Sequence, residues 1–404
     1  MFDRARFRPS RFLARRWLLG AAVLALVGAV TLANAHPRDG DRDGPPPDGQ
    51  DVFRHDTFGD EAFWTDHLKM NAVIEQAVDP VTALSLGLKV DADALPDGLL
   101  GSLTPAQLAD PQTTLALLKL DAVVGVKGTV EADGDGKLHL TRVGVTCALC
   151  HSTVDNSAAA GIGHRLDGWP NRDLKPGAII AASPAVADEA RAVYRSWGPG
   201  RYDPRFNIDG LSTPVLIPPA YGLAGVKLAT YTGDGDISYW NNYVAVTQMG
   251  GQGVFIDKRI GVKVVRTPDL VHPVLKPLRD YQLELEAPAP PDGSFDPVAA
   301  TAGKAVFNGA ARCATCHSGE HFTDANRGRL HAPAETGMDP GYARRSATGK
   351  YRTTPLRALW QHAPYFHDGS AKTLADVVEH YDATRRLRLT DRQKADLVEY
   401  LKSL

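Results

Sequence analysis

The chain has 404 residues, 45 Lys and Arg against 47 Asp and Glu, a formal net charge of −2, and four cysteines. This is ordinary globular composition, long enough for two domains, and the charge balance gives no support to nucleic-acid binding. All four cysteines fall in two copies of one short motif, so none is left for a disulfide.

The chain opens with Arg4, Arg6, Arg8, Arg11, Arg15 and Arg16, then the apolar run Trp17 to Leu32, then Ala33-Asn34-Ala35. A basic start, a short apolar stretch and a small-residue exit predict a secretory signal over residues 1–35. The run is short for a spanning helix, which makes a retained membrane anchor the lesser reading. Residues 36–50 are dominated by Pro, Gly and Asp and read as a solvated tether. From Asp60 onward Phe63, Met70, Ile74 and Ala77 fall at helical spacing. His55, His67 and Met70 lie in this region, and for each, packing or surface exposure outweighs a ligand role.

A second helical stretch is expected over 99–120, with Thr104-Pro105 as a start signal. Val123, Val124, Val126, Thr129 and Val130 then precede Asp133-Gly134-Asp135-Gly136, and Leu138, Leu140, Val143 and Val145 follow it. β-branched and apolar residues on both sides of a DG turn predict a hairpin that leads directly into Cys147.

Cys147-Ala148-Leu149-Cys150-His151 and Cys313-Ala314-Thr315-Cys316-His317 carry the chemistry. Two thiols can add across the vinyl groups of a haem, and the adjoining histidine is then held beside the iron, so CxxCH reads as covalent attachment of haem c. Two haems c are expected, with His151 and His317 as proximal iron ligands. A zinc site built from both CxxC pairs is the rival reading, and it leaves both histidines and the export signal without a purpose. Export and haem c attachment together predict a periplasmic address. Without residues 1–35 the chain keeps 39 basic and 46 acidic residues, a net −7, which favours a basic electron-transfer partner.

Beyond His151 a small-residue loop carries His164, a candidate for the distal side of the first haem, against the plain alternative of a surface histidine. Ile237 to Met249 reads as a short helix stopped at Gly250-Gly251. Met249 is a candidate thioether ligand, and Trp169, Trp197 and Trp240 are candidate aromatic bridges, with core packing as the commoner fate of such residues. Residues 287–293, rich in proline, form the clearest linker. Helices are expected over 299–307 and 390–404, the second with a Thr390–Gln393 capping box, and their crossing beside the haem would make residues 294–404 a conventional cytochrome c domain. Residues 51–286 would form the first haem domain. The fold class expected is therefore mainly α, with two cytochrome c-like haem domains, the first modified by the hairpin before its motif and by an N-terminal helical extension.

Arg352-Thr353-Thr354-Pro355-Leu356-Arg357-Ala358-Leu359 and Ala363-Pro364-Tyr365-Phe366-His367-Asp368-Gly369-Ser370, taken with the two CxxCH motifs, resemble the bacterial di-haem cytochrome c peroxidase superfamily. That superfamily includes the maturation enzyme of methylamine dehydrogenase and polyisoprene-cleaving oxygenases. The resemblance is strong over 297–404, weak over 147–250 and absent over 51–146. It implies that the second haem takes electrons and the first reduces hydrogen peroxide. Tyr381 falls at the place of the second haem's distal ligand, with His380 beside it and Met338 as a further option. It also implies a distal role for His164 and a calcium ion (Ca2+) held near Asn171, His362 and Pro364. The expected partners are a small redox donor, a cytochrome c or a cupredoxin, and a small oxidant such as peroxide or O2; a homodimer is the expected assembly if there is one. Where the peroxidases carry a proton-moving glutamate, this chain has Gln248-Met249, with no Glu between Glu189 and Glu284. An amide is no general acid or base, which leaves Asp234 or Asp236 as substitutes and opens two alternatives, an electron-transfer cytochrome or a di-haem oxygenase or maturation oxidase.

Overall fold

The computed structural model describes residues 47–404. The expected signal and most of the tether lie outside the described residues. The end of the tether is already ordered: Asp48 caps a helix at Gly49–His55 through Gln50 N, and Gly49 is buried against Pro277 and Tyr281. Helices start repeatedly at an Asp or Thr followed by proline, as at Asp79-Pro80, Thr104-Pro105, Asp110-Pro111 and Asp296-Pro297. Side-chain oxygens there satisfy free amides, and proline already holds the helical φ.

Two helical expectations are broken into pieces. Lys69 sits in the left-handed region and separates a π-turn at Ala62–His67 from the helix Met70–Ala77. The stretch 99–120 becomes three helices, the last and longest at Pro111–Lys119, because each internal proline forces a fresh start.

The hairpin forms between Val126–Ala132 and Leu138–Val145, antiparallel, with a register irregularity at Thr129/Val130. At its open end Thr146 N donates to Gly125 O at 3.0 Å. Gly125 lies so close to Leu149 that a Cβ would fall 2.0 Å from the Leu149 amide nitrogen, so the hairpin base clasps the first CxxCH turn, Ala148–His151. Four further two-stranded sheets complete the β content among the described residues. The structure is thus mostly helical with small sheets.

One apolar core runs from Val52 and Phe53 through Leu115, Val145, Trp240 and Tyr243 to Leu278. A second gathers Phe307, Leu374, Leu397, Tyr400 and Leu401. It is built on helices Pro297–Asn308 and Asp391–Lys402, which cross at Gly303: a Cβ there would stand 1.9 Å from Asp396 O. Only glycine permits so close an approach. The crossing pair expected in a cytochrome c frame is therefore present in the C-terminal part. The first CxxCH has no such pair; hairpin and loops hold it.

The two parts are stitched together. Val215 packs with Tyr342, Ala343 and Tyr351 in a small third core. Arg345, 7 % exposed at its side chain, binds Asp203 and Asp209, each at 2.7 Å, and Leu216 N donates to His367 O at 2.7 Å. Residues 287–293 carry no regular structure, and Trp360 Nε1 reaches Pro288 O at 3.4 Å.

Candidate haem sites

Both CxxCH motifs open into one continuous cavity of about 860 Å³, lined by Cys147, Cys150, His151, Cys313, Cys316 and His317. The two histidines are prepared alike. His151 Nδ1 lies 3.0 Å from Pro218 O, and His317 Nδ1 lies 3.1 Å from Phe322 O. A carbonyl only accepts, so Nδ1 carries the proton and Nε2 presents its lone pair, the arrangement of an oriented metal ligand. Burial pushes both imidazoles down to about 4 and keeps them neutral. Burial likewise raises the Cys147 and Cys150 thiols to about 12 and Cys313 to about 11; these are unpaired, uncharged thiols.

The cavity's charge is the second mark of a fit. Five arginines line it, Arg172, Arg312, Arg352, Arg357 and Arg385, and no Asp or Glu does among the described residues. Arg172 Nε and Nη1 and Arg352 Nε are buried without a hydrogen-bond partner. Burial pushes the Arg352 guanidinium down to about 10. Buried cations with open N–H groups call for anionic oxygens, and the propionates of haem supply them. Thiols, neutral imidazoles, apolar walls and unpaired guanidinia together fit haem c.

The second motif faces Tyr381, whose phenol is pushed up to about 12 by burial and sits near Cys313 and Cys316. His380 turns away: its Nε2 bonds Thr336 O at 2.9 Å, and it is absent from the cavity wall. Adjacent residues on a helix point about 100° apart, so one of the pair must face out. Met338 also lines the cavity, in the turn between the short helices Pro333–Thr336 and Gly341–Arg344.

Around the first motif the sequence expectations separate. His164 is exposed and paired to Asp93 at 2.8 Å, away from the cavity, because the loop that carries it is tied to the surface through Asp155. Gln248 and Met249 do reach the cavity. Gln248 Oε1 accepts from the Tyr202 hydroxyl at 2.9 Å. Tyr202 is a site residue that the sequence did not signal, since it comes from a two-residue strand in a turn-rich stretch. Burial holds its phenol well above the ordinary value, with Tyr194 and Cys150 close by. Neither aspartate replaces the missing glutamate: Asp234 is buried against Arg205 at 2.5 Å, and Asp236 caps a helix through Tyr239 N. His55 pairs with Asp121, His67 stacks near Phe63, and Met70 belongs to the core. Trp240 lines the cavity, while Trp197 is core, bonded to Ser212. Trp169 stands outside the wall, edge-on to Tyr221 and Trp360.

The residues expected at a calcium site have partners within the chain. Asn171 already donates to Gly87 O at 2.9 Å and accepts from Leu174 N at 3.2 Å. The carbonyl of His362 faces the Arg172 guanidinium at 3.5 Å, and Pro364 lines the haem cavity. The Arg172 guanidinium thus lies beside one of the carbonyls expected as a calcium ligand. Among the described residues one group has metal-ligand spacing, Cys316, Asp324 and His331. There Asp324 and Glu335 both hold His331.

The cytochrome c family profile matches residues 300–404. Those residues are a cytochrome c domain, and they carry a c-type haem at Cys313 and Cys316. The chain is 32% identical to the methylamine utilization protein MauG of Methylorubrum extorquens over 25% of its length and 33% of the relative's. It is 28% identical to the cytochrome-c peroxidase IdrP1 of a Pseudomonas species over 25% of its length and 38% of the relative's. It is therefore a distant homologue of the di-haem peroxidase superfamily, matching less than half the length of either relative. Among solved structures, hydrazine synthase of Kuenenia stuttgartiensis gives a TM-score of 0.36 at 20% identity, over 52% of this chain and 78% of that one. A MauG-like protein associated with microbial copper homeostasis gives 0.27 at 21% identity, over 34% and 55%. No helix among the described residues is long and apolar enough to cross a membrane.

Proposed function

We propose that this chain is a periplasmic di-haem oxidoreductase of peroxidase type, with a second haem c at Cys147, Cys150 and His151, electrons entering at the C-terminal haem and hydrogen peroxide reduced at the N-terminal one. The supporting observation is the single cavity that both CxxCH motifs line. When bound, the haems supply one-electron redox chemistry and an open position for a small oxidant. The chain supplies the rest. His151 and His317 present oriented, neutral Nε2 atoms. Arg172 and Arg352 offer buried N–H groups to carboxylates. Tyr381 offers a phenol oxygen on the C-terminal side. The apolar wall excludes water, and Tyr202 holds a proton against Gln248 beside Cys150, where the superfamily peroxidases use a carboxylate.

One observation favours a second reading. With no Asp or Glu on the cavity wall among the described residues, proton delivery rests on a phenol of high pKa, and an electron relay needs no such delivery. Matured protein, pre-reduced and mixed with hydrogen peroxide and a small-molecule reductant, separates the two. Multiple turnover supports the peroxidase reading; its absence, with two low-spin six-coordinate haems in the paramagnetic spectrum, establishes the relay instead.

A further inference from the structure

The charge of the chain is unevenly divided. Residues 51–293 carry 21 basic and 30 acidic residues, whereas residues 294–404 carry 16 basic and 12 acidic. The excess on the C-terminal domain is concentrated beside the haem motif. Arg312 immediately precedes Cys313, and Arg385 closes the helix that presents Tyr381; both line the cavity and both are exposed, so they mark where it opens to solvent. The chain then turns through Arg386 and Arg388, each in the left-handed region at φ 53° and 60°. Between them Leu387 lines the cavity and packs against the second apolar core, while Arg386 and Arg388 on either side are exposed.

Among the described residues Arg312, Arg386 and Arg388 form no salt bridge, and Arg385 influences Glu335 without closing one. Two carboxylates on the same helix share one lysine, Lys394 binding Glu379 at 2.8 Å and Asp382 at 2.9 Å, so they leave one negative charge against the four arginines. Four exposed guanidinia thus rim the opening over the haem at Cys313 and Cys316. Unpaired like charges held together at one rim raise the positive potential there and give long-range attraction for an anionic surface.

We infer that this arginine rim is the docking face for a small redox protein whose own contact face is acidic, and that electrons cross there to the C-terminal haem. The whole-chain charge pointed to a basic partner; the local field at the haem opening points to the opposite. The inference rests on the proposed role of that haem as the entry point for electrons.

Stopped-flow reduction of the oxidised, fully matured chain tests it, using reduced flavodoxin as an acidic donor and reduced mitochondrial cytochrome c as a basic one. Each donor is compared with itself at low and high salt, so their different driving forces do not matter. The expected result is a second-order rate that falls with rising salt for flavodoxin and does not fall for the basic donor. Arg386→Glu combined with Arg388→Glu is expected to slow flavodoxin by about tenfold at low salt, while reduction by a small neutral reductant is unchanged. Attraction of the basic donor, or a flavodoxin rate indifferent to salt and to the charge reversal, would overturn the inference; the wild-type salt dependence decides it even if the double variant folds poorly. Loss of peroxide turnover with these salt effects intact would instead strike the proposed reaction and leave the docking face standing.

Discussion

The two CxxCH sites share their inner half and differ in almost everything around it. In each, a backbone carbonyl accepts a hydrogen bond from Nδ1–H and burial keeps the imidazole neutral. The first is clasped by a hairpin base and closed in by Tyr202, Gln248 and Met249. The second lies in a helix-crossing frame, faces Tyr381, and opens to solvent between arginines. A five-residue motif therefore presents two thiols and one oriented imidazole, while the frame decides what faces them and the access.

Breaking each site in turn gives the largest expected effect. Cys147→Ala with Cys150→Ala should leave one haem per chain by intact mass and haemochrome assay, as should Cys313→Ala with Cys316→Ala. If the first pair leaves the haem content unchanged, the comparison itself fails. Next is the frame that only the second site possesses. Gly303→Val puts a side chain into the Asp396 carbonyl, which cannot move without separating the two helices, and should cost about 3 kcal/mol or more in denaturant unfolding.

A smaller but more informative change is Tyr381→Phe, which should alter the electronic spectrum and potential of the C-terminal haem alone. His380→Ala, which removes a side chain facing away from the cavity, should leave both unchanged. A reversed pattern would move the ligand assignment to His380. The smallest effect concerns the hairpin that only the first site has. Hydrogen bonds from His139 to Asp133 and Glu75 raise its pKa in the folded chain. A raised histidine stabilises the fold fully below its unfolded value near pH ~6.5 and loses that contribution as pH rises through the folded value. His139→Gln should therefore lower Tm more at about pH 6 than at about pH 9. An equal loss at both would show that the pair acts through packing and not charge.

Much of the C-terminal domain, and the hairpin before the first motif, was legible in sequence because the signals are local. Asp296-Pro297 and Thr390–Gln393 announce helix starts within four residues, and a DG turn between β-branched runs announces the hairpin. Local signals failed where long-range contacts took over. His164 lies in a loop and Tyr202 in a two-residue strand, and only tertiary contacts with Asp93 and Gln248 send one to the surface and the other into the cavity. Proline positions marked helix starts but did not show how far each helix would run, which is why 99–120 was misread as one element.

By itself the amino-acid order determined that thiol pairs and an adjacent histidine would be presented twice, since attachment chemistry needs only five consecutive residues. It also determined the helix starts, which depend on capping atoms two or three residues away. Only the tertiary structure decided that both motifs share one cavity, that Arg172 lies against the His362 carbonyl, that Tyr381 rather than His380 faces inward, and that arginines rim the second opening. Those outcomes depend on which distant segments pack together, and burial, not sequence neighbourhood, sets the cost of each polar group placed there.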